Sequence, residues 1–318
     1  MSELEVYLGI DTSCYTTSVA FMDRQANLVG ESRQILKVHE GKCGLQQSEM
    51  VFQHTRNLTE MITNAMPRGA KIIGVCASGY PRPLPDSYMP AFLVGAGLAR
   101  SVSVLNNIPL WLISHQENHL LAGKWSAGGP DDERFLFLHA SGGTTDLLTA
   151  EKDGSGSYKL TEIGGSIDLH AGQFIDRIGV SLGLQFPAGP ALEKFAGAAA
   201  GPVELPVSVK GCKASLSGPA TAAERKLAAG EDPAGIALGV QKVLAETFYR
   251  LICNACREYN TKSVLIAGGV ASNTYIREYL HNKLTGRKIS LWHPQARFSC
   301  DNASGCAAFA VLKGEKSV

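Results

Sequence analysis

A surplus of positive charge is missing from this chain: 30 Lys and Arg face 29 Asp and Glu, a net +1, and no dense basic run occurs. A dedicated nucleic-acid binder carries a basic excess or stripe, so any RNA contact needs a local patch or a partner protein. Long apolar runs are missing too. The least polar stretch, Ala91 to Leu98, is interrupted by Gly95 and Gly97 and followed by Arg100, too short for a transmembrane helix. Met1-Ser-Glu-Leu-Glu-Val has neither the basic start nor the apolar core of a signal peptide, which sets the expectation of a cytoplasmic protein with no membrane contact. Cysteines number 8, scattered from Cys14 to Cys306 without a compact framework, and read as free thiols. Cys253-Asn-Ala-Cys256 lacks the second pair a zinc ribbon needs, and it falls in an amphipathic helical pattern that buries small thiols. Biased tracts are absent as well. With 45% hydrophobic and 19% charged residues over 318 positions, disorder is excluded and one large or two medium cores can be buried.

What is present is an internal echo. Val6-Tyr-Leu-Gly-Ile leads into Asp11-Thr-Ser-Cys-Tyr-Thr-Thr and then Ser18-Val-Ala-Phe-Met: strand, tight turn of small and hydroxyl residues, strand. Phe135-Leu-Phe-Leu-His-Ala, Ser141-Gly-Gly-Thr-Thr-Asp and Leu147-Leu-Thr-Ala repeat the design. Each hairpin is followed later by a strand, a glycine turn, a helix and a closing strand. In one half these are Ile72–Ala77, Ser78-Gly, Pro90–Leu105 and Leu110–Ile113; in the other, Ser263–Ala267, Gly268-Gly, Thr274–Leu284 and Ile289–Trp292. Alternating strands and helices predict an α/β fold with largely parallel pairing. Two hairpin-led halves predict the duplicated actin-like (ASKHA, ribonuclease H-like) layout, two halves around a nucleotide cleft. The halves are expected at 1–125 and 126–318, with the last helix packing back on the first. The stretch from Ala196 to Gly218 reads as irregular.

Three turns carry candidate phosphate chemistry. Those after the first strand of each hairpin offer backbone N–H groups and hydroxyls, and Gly142 and Gly143 leave the backbone open to close approach. Gly268-Gly-Val-Ala-Ser-Asn273 precedes a helix whose N-terminus favours anions. Each turn alone is ordinary loop chemistry; together, in a duplicated pattern, they point to a nucleotide. His115-Gln-Glu-Asn-His119 puts two imidazoles at i and i+4 on one helical face, near enough to share a metal. Gln116 stands where a metalloprotease has its base and cannot take a proton. The pair needs further ligands, and Asp301 is the candidate; the spacing also arises by chance. Asp176, on a helix preceding Phe186-Pro-Ala-Gly189, either accepts from ribose hydroxyls or is a surface acid paired with Arg177.

These residues, taken together, resemble a family. Gly9-Ile-Asp-Thr-Ser-Cys, His115-x-x-x-His119, Ser141-Gly-Gly, Asp176, Pro187-Ala-Gly189-Pro, Ala214-Ser-Leu-Ser-Gly218, Gly268-Gly-Val-Ala-Ser-Asn273 and Cys300-Asp301-Asn stand in the order seen in the TsaD family, the tRNA N6-adenosine threonylcarbamoyltransferases once called O-sialoglycoprotein endopeptidases. The resemblance spans nearly the whole chain. It implies an actin-like fold and one iron or zinc ion per chain on His115, His119 and Asp301. It also implies ATP or an adenylate, with Mg, at His139, Ala140, Ser141, Gly142, Gly143, Asp176, Gly189 and Asn273. The implied reaction moves threonylcarbamoyl from its adenylate to N6 of adenosine 37 in tRNA, with small partner proteins of the same pathway in a homo- or heterodimer.

Three stretches depart from the pattern. Tyr15 and Thr16 stand where the family has an acidic pair, Thr144 where a bacterial histidine is usual, and Gly41–Ser48 replaces the usual Tyr-Gly-Gly-Val-Val-Pro-Glu. The alternative reading is a non-catalytic or differently specific nucleotide-binding paralogue. A glycoprotease would lack its base, and a sugar kinase would leave the metal set without a purpose.

Overall fold

The computed structural model describes residues 3–38, 44–154 and 157–315; Cys43 and the start of the divergent Gly41–Ser48 stretch lie outside the described residues. The chain divides into two compact units. One comprises Met1–Gly128, Asp153–Tyr158 and Asp301–Val318; the other comprises Gly129–Lys152 and Lys159–Cys300.

The first unit opens with β1 (Glu5–Thr12), β2 (Thr16–Met22) and β3 (Leu28–Ile35), then α1 (Gln47–Ala65), β4 (Lys71–Tyr80), α2 (Pro90–Asn106), β5 (Leu110–Ser114) and α3 (His115–Ala127). Its sheet runs β3-β2-β1-β4-β5. β1 and β2 pair antiparallel, while β1–β4 and β4–β5 are parallel. Because β1 is covered on both faces, its central run Val6–Ile10 is continuously apolar rather than alternating. α1 instead presents one stripe, Met50, His54, Leu58, Met61 and Ala65, at helical spacing. Leu58, Met61 and Ala65 meet Val6, Leu8, Ile10, Val19 and Phe21 in the core of this unit.

The second unit contains β6 (Arg134–Ala140), β7 (Thr145–Lys152), β8 (Tyr158–Ser166), α4 (Ala171–Ser181), α5 (Gly189–Ala196), β9 (Ser208–Lys210), β10 (Lys213–Ser215), α6 (Ser217–Ala228), α7 (Pro233–Glu258), β11 (Ser263–Ala267), α8 (Thr274–Thr285), β12 (Ser290–Trp292) and α9 (Ala296–Ser299). Its sheet order is β12-β11-β6-β7-β8-β10-β9. Five of these strands, β8-β7-β6-β11-β12, repeat the order of the first sheet; the echo named four of the five in each half, and the third strand of each, β3 and β8, is an addition to it. The stretch read as irregular holds a small hairpin, β9 and β10, turning at Gly211 with φ +57. Three-residue strands of mixed polarity leave no alternation to read. α7 buries Cys253 and Cys256, and the described cysteines are free. The last helix, α10 (Ser304–Gly314), belongs to the first unit. Among the described residues no helix is long and apolar enough to cross a membrane.

Candidate functional site

In the first unit the sequence Ser114-His-Gln-Glu117 starts α3 with a capping box. Ser114 Oγ accepts from Glu117 N at 3.1 Å, and Glu117 Oε2 accepts from Ser114 N at 2.7 Å. The box fixes the first helical turn, which carries His115, and one turn on His119 lies beside it with Nε2 to Nε2 at 3.1 Å. Asp301 arrives from the segment before α10. Its Oδ1 is 3.2 Å from His119 Nε2 and 3.7 Å from His115 Nε2. Asn118, between the two histidines, brings that segment in: its Nδ2 donates to Asn302 O at 2.7 Å and its Oδ1 accepts from Cys306 N at 2.8 Å. The approach is close enough that a Cβ on Gly305 would sit 2.0 Å from Asn118 O.

The three predicted metal residues therefore meet, with their ligand atoms within 4.8 Å of one another. Donors at about 2.0–2.2 Å from a zinc-sized ion, at tetrahedral or octahedral angles, lie about 3.0–3.5 Å apart. Two of the observed spacings, 3.1 and 3.2 Å, fall in that range and the third, 3.7 Å, lies just above it. Electrostatics agree. Burial would lower His115, yet the Asp11 carboxylate beside it, and Asp301, hold the imidazole well above the ordinary histidine range. Burial, then the charge of His115, push His119 down. Burial would raise Asp301, but hydrogen bonds from both imidazoles hold it well below the usual carboxylate range. A cluster that binds a proton this firmly between carboxylates offers the same electrons to a divalent cation.

Asp11 was not singled out from sequence. It is fully buried at the end of β1, and its Oδ1 is 3.0 Å from His115 Nδ1, while its Oδ2 is buried without a hydrogen-bond partner among the described residues. Ser13 Oγ lies 3.3 Å from Asp301 Oδ2. Both lie in the motif Gly9-Ile-Asp-Thr-Ser-Cys, but nothing in it marks either as a neighbour of the histidine pair. The capping box at Ser114 was the one available signal that the His pair opens a helix.

In the second unit the candidate nucleotide residues are brought together only in part. His139 and Ala140 end β6 and are buried, His139 stacked on Phe137 at 5.8 Å. Ser141 to Thr144 form the turn, closed by Ser141 N to Thr144 O at 2.8 Å. Gly142 and Gly143 are exposed, with nothing within 4 Å of the position a Cβ would take. Gly268, φ +108, follows the neighbouring parallel strand β11, and a Cβ there would sit 2.1 Å from Ala140 O. Both turns thus lie at the carboxyl ends of adjacent parallel strands, where open α/β sheets bind ligands.

The side chains farther along are engaged internally. Asp176 Oδ1 accepts from Ala188 N at 2.7 Å, and burial raises its carboxyl against that bond. Arg177 pairs with Glu224 rather than Asp176. The Asp176 bond shapes the approach to Gly189, which starts α5 and has open space around it. Asn273 caps α8 through Ile276 N at 3.0 Å and donates to Gln241 Oε1 at 2.9 Å, while Glu193 Oε1 takes Thr274 N at 2.8 Å. Asp168 was also missed: it ties the loop before α4 to Ser215, Leu216 N and Ser217, and these bonds outweigh desolvation to hold it well below the carboxylate range.

Residues 88–308 match the sequence model of the TsaD family, tRNA N6-adenosine threonylcarbamoyltransferase. A protein of that name from Nitrosomonas eutropha is 28% identical over 316 residues, 96% of this chain and 91% of the relative. Another, from Dehalococcoides mccartyi, is 28% identical over 322 residues, 97% and 94% of the two chains. Among solved structures, component A of the Acidaminococcus fermentans (R)-2-hydroxyglutaryl-CoA dehydratase superposes with TM-score 0.58 at 17% identity, covering 98% of this chain and 99% of that one. A ROK family glucokinase from Streptomyces griseus gives 0.54 at 10%, covering 96% and 99%. These structural likenesses concern fold, and the fold is the duplicated actin-like one.

Proposed function

We propose, from the premise that the chain belongs to the tRNA N6-adenosine threonylcarbamoyltransferase family, that it is a metal-dependent transferase moving threonylcarbamoyl from its adenylate to N6 of adenosine 37 in tRNA. The observation that carries the reading is the preassembled donor set of His115, His119 and Asp301 on the family's motif positions. These three residues hold one iron or zinc ion, which when bound supplies Lewis acidity toward a carbonyl or phosphate oxygen. The open backbone of Ser141, Gly142 and Gly143 cradles phosphate, and His139 and Ala140 set the strand end from which that turn projects. Asp176 shapes the Ala188–Gly189 approach, and Asn273 holds the helix start beside the second glycine turn. Together they bind ATP, with Mg, or the adenylate, and orient it for attack by the acceptor nitrogen. tRNA and small partner proteins of the pathway complete the reaction in the cytoplasm. The test supplies ATP, threonine, bicarbonate, an adenylate-forming partner and ANN-decoding tRNA, then measures the modified nucleoside. Its absence, with nucleotide and metal bound, overturns the proposal.

A second reading, a nucleotide-binding paralogue without transfer activity or with another acceptor, is favoured by one observation. Thr16 is buried in β2, and Tyr15 packs against Leu36, Met50 and Ala91. Neither supplies the charge of the family's acidic pair. Normal nucleotide binding without tRNA modification selects this reading.

A further inference from the structure

We propose that Asp11 is a positioning residue of the metal centre, fixing which nitrogen of His115 faces the ion, and that the exit turn of β1 orients two of the three ligands. The inference rests on the metal reading above.

An imidazole ligates through one nitrogen, and the group met by the other decides which. A carboxylate only accepts, so with Asp11 Oδ1 at 3.0 Å, His115 Nδ1 carries the hydrogen. In the neutral ring Nε2 then keeps its lone pair, and Nε2 is the atom 3.1 Å from His119 Nε2. Asp11 has little freedom to do otherwise. It is fully buried, paired with Ser18 in the β1–β2 ladder, and its carbonyl accepts from Ser18 Oγ at 3.3 Å. Its Oδ2 is buried with no hydrogen-bond partner among the described residues, an arrangement that costs stability unless positive charge lies close by. Without metal the His115 ring, 3.0 Å away, supplies that charge when protonated; with metal bound, the ion on the far side of the ring takes over.

The same turn treats Asp301 likewise. Ser13 Oγ, 3.3 Å from Asp301 Oδ2, engages one oxygen and leaves Oδ1 toward the imidazoles. The turn is pinned from α1. Buried His54 meets Ser13 O through Nε2 at 2.7 Å and Thr17 Oγ1 through Nδ1 at 2.9 Å. A carbonyl only accepts, so His54 Nε2 donates and Nδ1 accepts from the hydroxyl. That one neutral tautomer satisfies both contacts, in keeping with the lowering of His54 by burial.

The experiment is a competition titration of the full chain with zinc against a chromophoric chelator, for the unmodified protein, Asp11→Ala, Asp11→Asn and Ser13→Ala. Each protein's thermal midpoint is also read with and without zinc. Asp11→Ala weakens zinc about 10–100-fold, while Asp11→Asn, whose carbonyl still accepts from Nδ1–H, returns to within about tenfold of the unmodified protein. Ser13→Ala weakens it about 2–10-fold. Asp11→Ala also lowers the metal-free midpoint, because it leaves His115 without its buried partner, and the zinc-induced rise shrinks beyond that loss. Equal zinc affinity in the Asp11 variants and the unmodified protein overturns the inference alone, and so does a loss confined to metal-free stability. Failure of the unmodified protein to bind zinc or ferrous iron overturns the metal reading and the inference with it. If Asp11→Ala does not fold, the decision passes to Asp11→Asn and Ser13→Ala, where two unchanged affinities overturn the inference.

Discussion

Two turns hold equivalent places in the two units and have become opposites. One lies between β1 and β2, closed by the pair Thr12↔Thr17; the other lies between β6 and β7, closed by Ala140↔Thr145. Each spans four residues. In the first, Ser13 and Thr16 are buried, Tyr15 packs into a small apolar cluster, and a histidine from α1 holds the backbone. In the second, Gly142 and Gly143 face open space and offer backbone alone. The duplicated frame keeps strand order and turn length while the contents diverge: one turn packs its side chains inward, the other exposes bare backbone at its two central glycines.

The largest effect that bears on this contrast is a double replacement, His115→Ala/His119→Ala. It should lower zinc affinity by at least about 100-fold, because one carboxylate is left from a three-donor set. Metal analysis checks this. The proposed rise in thermal midpoint with adenine nucleotide should persist, since the residues proposed to bind it lie on the other unit. Loss of both responses would break the division of labour.

Next comes a paired substitution at matched turn positions. Thr16→Glu should cost about 2–4 kcal/mol, because a carboxylate is forced into a buried site. Thr144→Glu, half-buried in the glycine turn, should stay within about 0.5 kcal/mol. Urea denaturation compares them, and equal losses would erase the distinction. The expected cost at Thr16 also means that restoring the family's acidic pair needs compensating changes around it.

How much of this was legible follows from the range over which the information acts. The His pair declared itself because both members lie one helical turn apart. Asp11 did not, since its partner lies 104 residues away and strand ends carry acids for many reasons. The hairpin echo could be read because a burial pattern and a turn composition both recur locally. The hairpin of β9 and β10 could not, because three residues show no period. Asp176 and Asn273 were found as candidates, but whether each points outward or bonds its own unit is decided by Ala188, Ile276 and Gln241, fixed only once the helices pack.

Smaller effects sharpen the same contrast. Asn273→Ala should cost about 1–2 kcal/mol, through loss of the α8 cap and the Gln241 bond. Gly143→Ala should leave stability within about 0.5 kcal/mol yet shrink the nucleotide-induced rise in midpoint, since only the ligand meets the added carbon. A calorimetric titration with ATP and Mg decides between a structural and a binding role for each.

The smallest expected effect is pH-dependent. The folded state holds Asp168 below its ordinary range, so the unfolded chain takes up its proton first. Its contribution is complete above about pH 4 and is lost as pH falls through the lower folded value. Asp168 is exposed, so screening keeps the contribution under about 1 kcal/mol. Asp168→Asn should flatten the acid limb of the stability curve between about pH 4 and 2; an unchanged limb would show that its hydrogen bonds to Ser215 and Ser217 carry no net weight.

Asp301 has a further consequence during synthesis. It lies 182 residues beyond His119, with the whole second unit between them. At about 5–20 residues per second, a ribosome needs about 10–40 s to cover that distance. For that time the nascent first unit holds a histidine pair without its carboxylate and an α3 without the α10 segment that Asn118 grips. On the proposed metal reading, an ion acquired in that interval meets two donors and exchanges freely, so ion selection is deferred until translation has delivered Asp301.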